Sequence, residues 1–136
     1  MAECIFCQIA AGRIPSASLI ETDKVFSFLD INPVNPGHAL VIPKRHAASL
    51  LDLTQDELHV LCFAVKRVAA AVKEATGADG FNVLQNDGAV AGQIIRHVHF
   101  HVIPRREDDG FSFGWRQLGY TEGEMDALRA AIRRNL

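Results

Sequence analysis

No stretch of this 136-residue chain approaches the roughly 18 consecutive apolar residues that a membrane-spanning helix requires, so no membrane association is expected. The opening MAECIFCQIAAGRIP lacks a basic region followed by a long apolar run and does not read as a signal peptide; a cytoplasmic protein is expected. Cysteine is scarce. Cys4, Cys7 and Cys62 make an odd count that suits a disulfide framework poorly, and a cytoplasmic setting keeps them reduced. Charge of one sign is also lacking. Fourteen Lys and Arg stand against 16 Asp and Glu, a net of -2, so the basic face needed for non-specific nucleic-acid binding is missing. Small phosphorylated ligands stay open, because Lys44-Arg45 and Arg105-Arg106 form local basic pairs. Internal repeats and low-complexity linkers are absent, which leaves one domain over 1–136 with a core of about 3–105 and a C-terminal tail and helix over 106–136.

What is present reads as a mixed α+β chain. Residues 3–11 suit a short helix that stops near Gly12 and Pro15. SLIETD and VFSFLD flank a turn at Thr22-Asp23 and predict a hairpin. INPVNPG, twice broken by proline, is a loop, and HALVIP a strand ended by Pro43. LTQDELHVLCFAVKRVAAAVKEATG is the clearest helix. Thr54 and Glu57 form a capping-box pattern, and Gly77 closes it. Leu58, Leu61, Cys62, Val65, Val68, Ala69 and Val72 follow helical spacing, which makes Cys62 a core residue and leaves His59 just off the stripe. FNVLQN is a strand, NDGAVAGQ a glycine loop, and TEGEMDALRAAIRRNL a terminal helix opened by Thr121 and Glu124. Short connections between strands favour an antiparallel sheet.

Three of the six histidines crowd into HVHFHVIP, residues 97–104. In a strand His97, His99 and His101 share one face, about 7 Å apart at their bases, while Val98, Phe100 and Val102 pack on the other. A solvated face would more naturally use Thr, Lys or Glu. Two functional readings remain: a catalytic metal site with two strand histidines as ligands, or nucleophilic catalysis by a neutral imidazole. The loop before the strand, Asn86-Asp87-Gly88 to Gly92-Gln93, brings backbone N–H groups toward an anion. Cys4-Ile5-Phe6-Cys7 is a CxxC pair: a redox couple, half a metal site, or two packed thiols. No βαβ pattern supports the redox option.

GQIIRHVHFHVIP resembles the signature of the histidine triad (HIT) family, His-apolar-His-apolar-His-apolar-apolar. CIFCQIAAGRIPS, VFSFLDINPVNPGHALVIPKRH, the long helix and NVLQNDGAVAGQ are similar to family segments in the same order. The resemblance implies an antiparallel sheet with one long helix, a short N-terminal helix and a C-terminal helix. It implies cleavage at the α-phosphorus of a purine nucleotide substrate, with His99 as nucleophile, His101 bonding phosphate or leaving-group oxygens, and His97 and His38 in support. Asn86 and Gln93 match positions that contact the phosphate or leaving group, Asp30 the acceptor of the ribose hydroxyls, and Phe6, Ile9, Phe28 and Ile31 the pocket for the base. Read without the family, Asp30 is a turn residue and the four apolar side chains are core. The family also implies a homodimer. Bacterial members that carry CxxC bind a structural zinc, for which the matching ligands are Cys4, Cys7, His46 and His97; the chemistry itself needs no metal. Relatives often place Ser or Thr after the Gly-Gln pair, where this chain has Ile94. The leading expectation is a hydrolase or transferase for nucleoside phosphoramidates, adenylylated amines or dinucleoside polyphosphates. Its competitors are a nucleotide-binding adaptor with little turnover and a zinc-dependent hydrolase that uses triad histidines as ligands.

Overall fold

The computed structural model describes residues 4–136; Glu3, where the expected first helix began, lies outside them. Helix α1 spans Ile5–Ala10, and the Cys4 sulfur caps it by accepting the Cys7 N–H at 3.5 Å. Strands β1 (Ser18–Glu21), β2 (Val25–Leu29) and β3 (Ala39–Pro43) follow, then the long helix α2 (Gln55–Thr76), β4 (Gly80–Gln85), β5 (Phe100–Arg105) and α3 (Glu124–Arg134). The strands form one sheet in the order β1-β2-β3-β5-β4, and every pair is antiparallel.

Helix α2 starts where expected. Thr54 accepts the Glu57 N–H at 3.2 Å while Glu57 accepts the Thr54 N–H at 2.8 Å, a reciprocal cap worth about 1 kcal/mol. It ends on Gly77, whose left-handed φ of 64° costs a glycine little. Its buried stripe is Leu61, Ala64, Val65, Val68, Ala69 and Val72. Cys62 departs from expectation: it is exposed, because the stripe turns toward Ala64 and Val65 and leaves position 62 beside Phe63 on the outer side. His59 is exposed, as read from the sequence.

The sheet separates two apolar layers. On one face Val25, Val41, Val98 and Val102 pack against α2, with Phe100 partly buried beside them. On the other, Phe26, Phe28, Leu40 and Ile42 meet Phe6 and Ile9 of α1. A side chain of Val or Leu size fully buried in such layers contributes about 1.5–3 kcal/mol. Helix α1 is too short to cover its face, and this leaves room there for a cavity.

Two boundaries differ from the sequence reading. The histidine segment enters the sheet only at Phe100, so His97, Val98 and His99 precede β5. The register that pairs Val41 with Phe100 would bring Pro43 opposite Val98, and proline has no N–H for that rung. The Val98 N–H bonds instead to the Ala47 carbonyl at 2.7 Å. At the C-terminus, Gly123 (φ 76°) and not Thr121 flanks α3; the Thr121 N–H donates to Glu124 at 3.2 Å, which completes only half of a capping box. No residue of α3 is buried.

Candidate active site and metal centre

Register alone assembles one wall of the site. Phe28 pairs with Leu40, and Leu40 with His101, so these three side chains lie side by side on the α1 face. Phe6 sets its ring edge-on to Phe28 at 5.5 Å and to His99 at 5.1 Å. The rings of His99 and His101 are 4.9 Å apart. Together they line a cavity of about 480 Å³ that Ile9, Asp30, Ile31 and Asn86 also border. Gly92, with φ 97°, backs Asn86 closely: a Cβ there would stand 3.2 Å from the Asn86 amide nitrogen. Ile31 and Ile94 stand at the mouth, 90% and 89% exposed.

Fixed backbone partners decide which nitrogen of each ring carries a proton. The Val34 N–H can only donate, and it meets His38 Nδ1 at 3.0 Å; neutral His38 therefore holds its proton on Nε2. That Nε2–H donates to His101 Nδ1 at 2.9 Å, which leaves the His101 proton on Nε2. His99 donates Nδ1–H to the His97 carbonyl at 2.7 Å, so its Nε2 keeps a free lone pair. His97 donates Nε2–H to the Pro43 carbonyl at 2.8 Å, so its lone pair is on Nδ1.

Three of the rings, His38, His97 and His101, are shifted toward the neutral form. Burial holds His38 and His97 below the usual imidazole range; Asp30 opposes the shift at His38, and the Pro43 hydrogen bond opposes it at His97. Burial, aided by His99 and His38, pushes His101 down to about 4 from its ordinary 6.5. The folded state thus holds fewer protons than the unfolded chain between these values. The stability this group lends is fully present above pH 6.5 and is lost as the pH falls toward 4. The melting temperature is expected to drop across that window, and His101→Gln to flatten the drop. An identical slope in the variant would clear His101 of the effect.

Asp30 makes a turn contact and also borders the cavity. One oxygen accepts the Asn32 N–H at 2.9 Å, a turn contact, while the other stands 3.8 Å from His38 Nε2 at the cavity. Gln93 is bonded within the protein. Its carbonyl accepts the Gly88 N–H at 2.8 Å and its amide donates to the Ala48 carbonyl at 2.7 Å, so it braces the glycine loop and does not line the cavity. His97 is likewise kept from the cavity, fully buried behind His99. Ile94, the residue after the Gly-Gln pair, lines the cavity, and so does Ile95, which the sequence reading missed. That reading also missed Asn35, which sits in a proline-rich turn where asparagine is read as a turn former.

Two groups of side chains have metal-ligand spacing among the described residues: Cys4, Cys7, His46 and His97, and Asp30, His38 and His101. Their protons separate them. His97 Nδ1, with its lone pair, lies 3.4 Å from Cys4 Sγ and 3.5 Å from Cys7 Sγ, and His46 Nδ1 lies 3.4 Å from Cys7 Sγ. Two thiols and two imidazoles at this spacing fit a tetrahedral zinc, and the Pro43 carbonyl supplies the outer hydrogen bond that fixes a ligating histidine. Burial and the nearby Cys4 raise the Cys7 thiol above its ordinary range, a crowding that a cation would relieve. In the second group His38 has spent its lone pair on Val34, and His101 has spent its own on His38. In this tautomer pattern neither ring of the second group offers a lone pair to a metal.

Comparison with known proteins agrees with the geometry. The family whose model matches is the HIT domain, over residues 11–108. Adenosine 5'-monophosphoramidase HNT1 of Candida albicans is 44% identical to the chain, across 99% of it and 92% of that protein. A crystal structure of a HIT family member from Bacillus subtilis superposes with a TM-score of 0.93 at 38% identity, covering 98% of this chain and 97% of that one. A zinc-bound histidine triad family protein from Mycobacterium smegmatis superposes with a TM-score of 0.77 at 37% identity, covering 98% and 96%. A five-stranded antiparallel sheet, His99 and His101 side by side on one cavity and a domain match over most of its length make this chain a member of the HIT family.

Proposed function

We propose that the protein cleaves nucleotides at the α-phosphorus, with nucleoside phosphoramidates, adenylylated amines and dinucleoside polyphosphates as the substrate classes and a nucleotidyl-His99 intermediate. The observation that carries this reading is the His99 proton: Nδ1–H is committed to the His97 carbonyl, so Nε2 is a nucleophile on a cavity wall. Attack forms the Nε2–P bond and breaks the bond from phosphorus to the leaving amine or phosphate. Water then cleaves the N–P bond, releases the nucleoside monophosphate and returns His99. His101 offers Nε2–H to a phosphoryl or leaving-group oxygen, and His38 holds it in that tautomer. Phe6, Ile9, Phe28 and Ile31 receive the purine, Asp30 the ribose hydroxyls and Asn86 the phosphate. Gln93 serves by shaping the loop. An adaptor would need the pocket but no activated imidazole, so the free lone pair favours the enzyme. Kinetics on a panel of adenosine and guanosine phosphoramidates and dinucleoside polyphosphates test the proposal. A clear kcat/KM preference within the panel is expected, and no turnover of any member would refute it.

Cys4, Cys7, His46 and His97 are the residues that would hold a zinc ion, whose contribution is to clamp α1 to the ends of β3 and β5. A reducing, cytoplasmic setting suits the two thiols. No helix among the described residues is long and apolar enough to cross a membrane. The net charge of -2 gives no support to nucleic acid as a partner.

A homodimer is part of the same reading. β4 is an edge strand with Phe81 and Val83 about half exposed. Trp115, Tyr120, Met125 and Ile132 stand exposed along the tail and α3. An 11-residue helix with no buried residue is marginal in water alone, so a second copy is the natural cover. Light scattering is expected to give twice the chain mass of 14.9 kDa; a single-chain mass at micromolar concentration would exclude the dimer.

A further inference from the structure

We infer that Asn35, held by the Arg105–Asp109 pair, is a positioning residue that sets the tautomers of His38 and His101. The inference rests on the proposed role of His101 as a donor through Nε2–H. The chain of contacts starts at the end of β5. Arg105 grips Asp109 through two nitrogens at 2.7 and 3.0 Å and also bonds Asn82 and the Phe111 carbonyl. Asp109 in turn accepts from Asn35 Nδ2 at 3.0 Å, and the same amide donates to the Pro104 carbonyl at 2.8 Å. The Asn35 carbonyl accepts the His38 N–H at 3.0 Å, which folds Val34–His38 into a tight turn. Only that turn brings the Val34 N–H onto His38 Nδ1. Gly37 seals it against α2: its φ is 99°, and a Cβ would stand 2.7 Å from Thr76 Cγ2.

The consequence is an exchange of tautomers across two rings. Once the Asn35 amide lets go, the turn opens and the Val34 N–H leaves His38 Nδ1. His38 is then free to carry its proton on Nδ1 and present a lone pair at Nε2. His101 answers by moving its proton to Nδ1, facing His38, and its Nε2 becomes an acceptor. A phosphoryl oxygen at the cavity would then meet a lone pair in place of a donor. His99, bonded to a carbonyl on a different segment, keeps its tautomer. Neither Asn35 nor Asp109 borders the cavity.

The test reads protons directly, with no substrate. Long-range proton–nitrogen correlation spectra of the zinc-loaded, nitrogen-15-labelled protein at neutral pH distinguish the two imidazole tautomers. The wild type is expected to show His38 and His101 both protonated at Nε2. Asn35→Ala is expected to move both toward Nδ1 while His99 stays unchanged, with kcat reduced by about 10²-fold and KM within about twofold. Should that variant not fold, Asn35→Asp, equal in shape but lacking the donor, carries the same measurement. A folded variant whose His38 and His101 keep the wild-type tautomers overturns the inference, and so does a wild type with His38 protonated at Nδ1. If the tautomers move as expected but wild-type protein turns over no nucleotide, the positioning role stands and the proposed function falls.

Discussion

His99→Ala is expected to lower kcat/KM for an adenosine phosphoramidate by about 10⁴-fold or more, while the Kd of the product nucleotide stays within a few-fold. The size follows from the proton pattern. His99 and His101 line the cavity and His38 backs His101; His38 and His101 have no uncommitted lone pair, which leaves His99 Nε2 as the group placed to attack phosphorus. In the proposed reading binding rests elsewhere, on Phe28, Asp30 and the apolar wall, so it should survive the loss of the ring. The ring does pack edge-on against Phe6, so circular dichroism and melting must accompany the kinetics. Rapid quenching of the wild type should trap a protein mass raised by one nucleotidyl group, and the variant should show none. Turnover by His99→Ala above about 1% of wild type would assign the chemistry to another group.

Removal of the thiol ligands has the second largest expected effect, and it falls on stability. Purified protein is expected to hold about one zinc per chain, and the Cys4→Ser/Cys7→Ser double variant less than about a tenth. With it the melting temperature should fall by about 10 °C, since losing a structural metal removes several kcal/mol and each kcal/mol shifts a domain of this size by roughly 3–5 °C. The reason is local. Helix α1 has six residues, too few to persist in water alone, and it carries the Phe6 and Ile9 that wall the cavity. Nucleotide affinity should therefore weaken along with stability. Turnover of bound substrate depends on the imidazoles and should survive treatment with a chelator that strips only loosely held metal. Wild-type protein with less than about a tenth of an equivalent of zinc would remove the clamp from the account.

Much of the architecture was legible in the chain because it rests on local pattern. Short apolar runs bounded by turns marked the strands, the Thr54–Glu57 box and Gly77 bounded α2, and the proline pairs marked the loop before His38. Alternation at 97–102 correctly separated the histidines from Val98, Phe100 and Val102, since side-chain direction in extended backbone follows from sequence position alone. The likeness of the triad segment to the HIT signature added the site as a set of matching positions, most of which the fold brings together.

Other features depended on partners far along the chain. The start of β5 was decided by Pro43, which would stand opposite Val98 in a register that sequence does not contain. Cys62 lay on the predicted stripe, yet α2 buries Leu61, Ala64, Val65, Val68, Ala69 and Val72 and leaves it exposed. Gln93 bonds Gly88 and also Ala48, 45 residues away, partners that only the fold brings to it. The protons were hidden most completely. Those of His38 and His101 follow from a hydrogen bond that spans 63 residues, and the Asn35–Asp109 anchor behind it spans 74. The sequence by itself determined which residue types face each other across the sheet, because strand and helix periods are properties of the backbone. Only the tertiary structure decided which nitrogen attacks and which donates, because an imidazole is symmetric in sequence and takes its tautomer from whichever fixed N–H or carbonyl the fold sets against it.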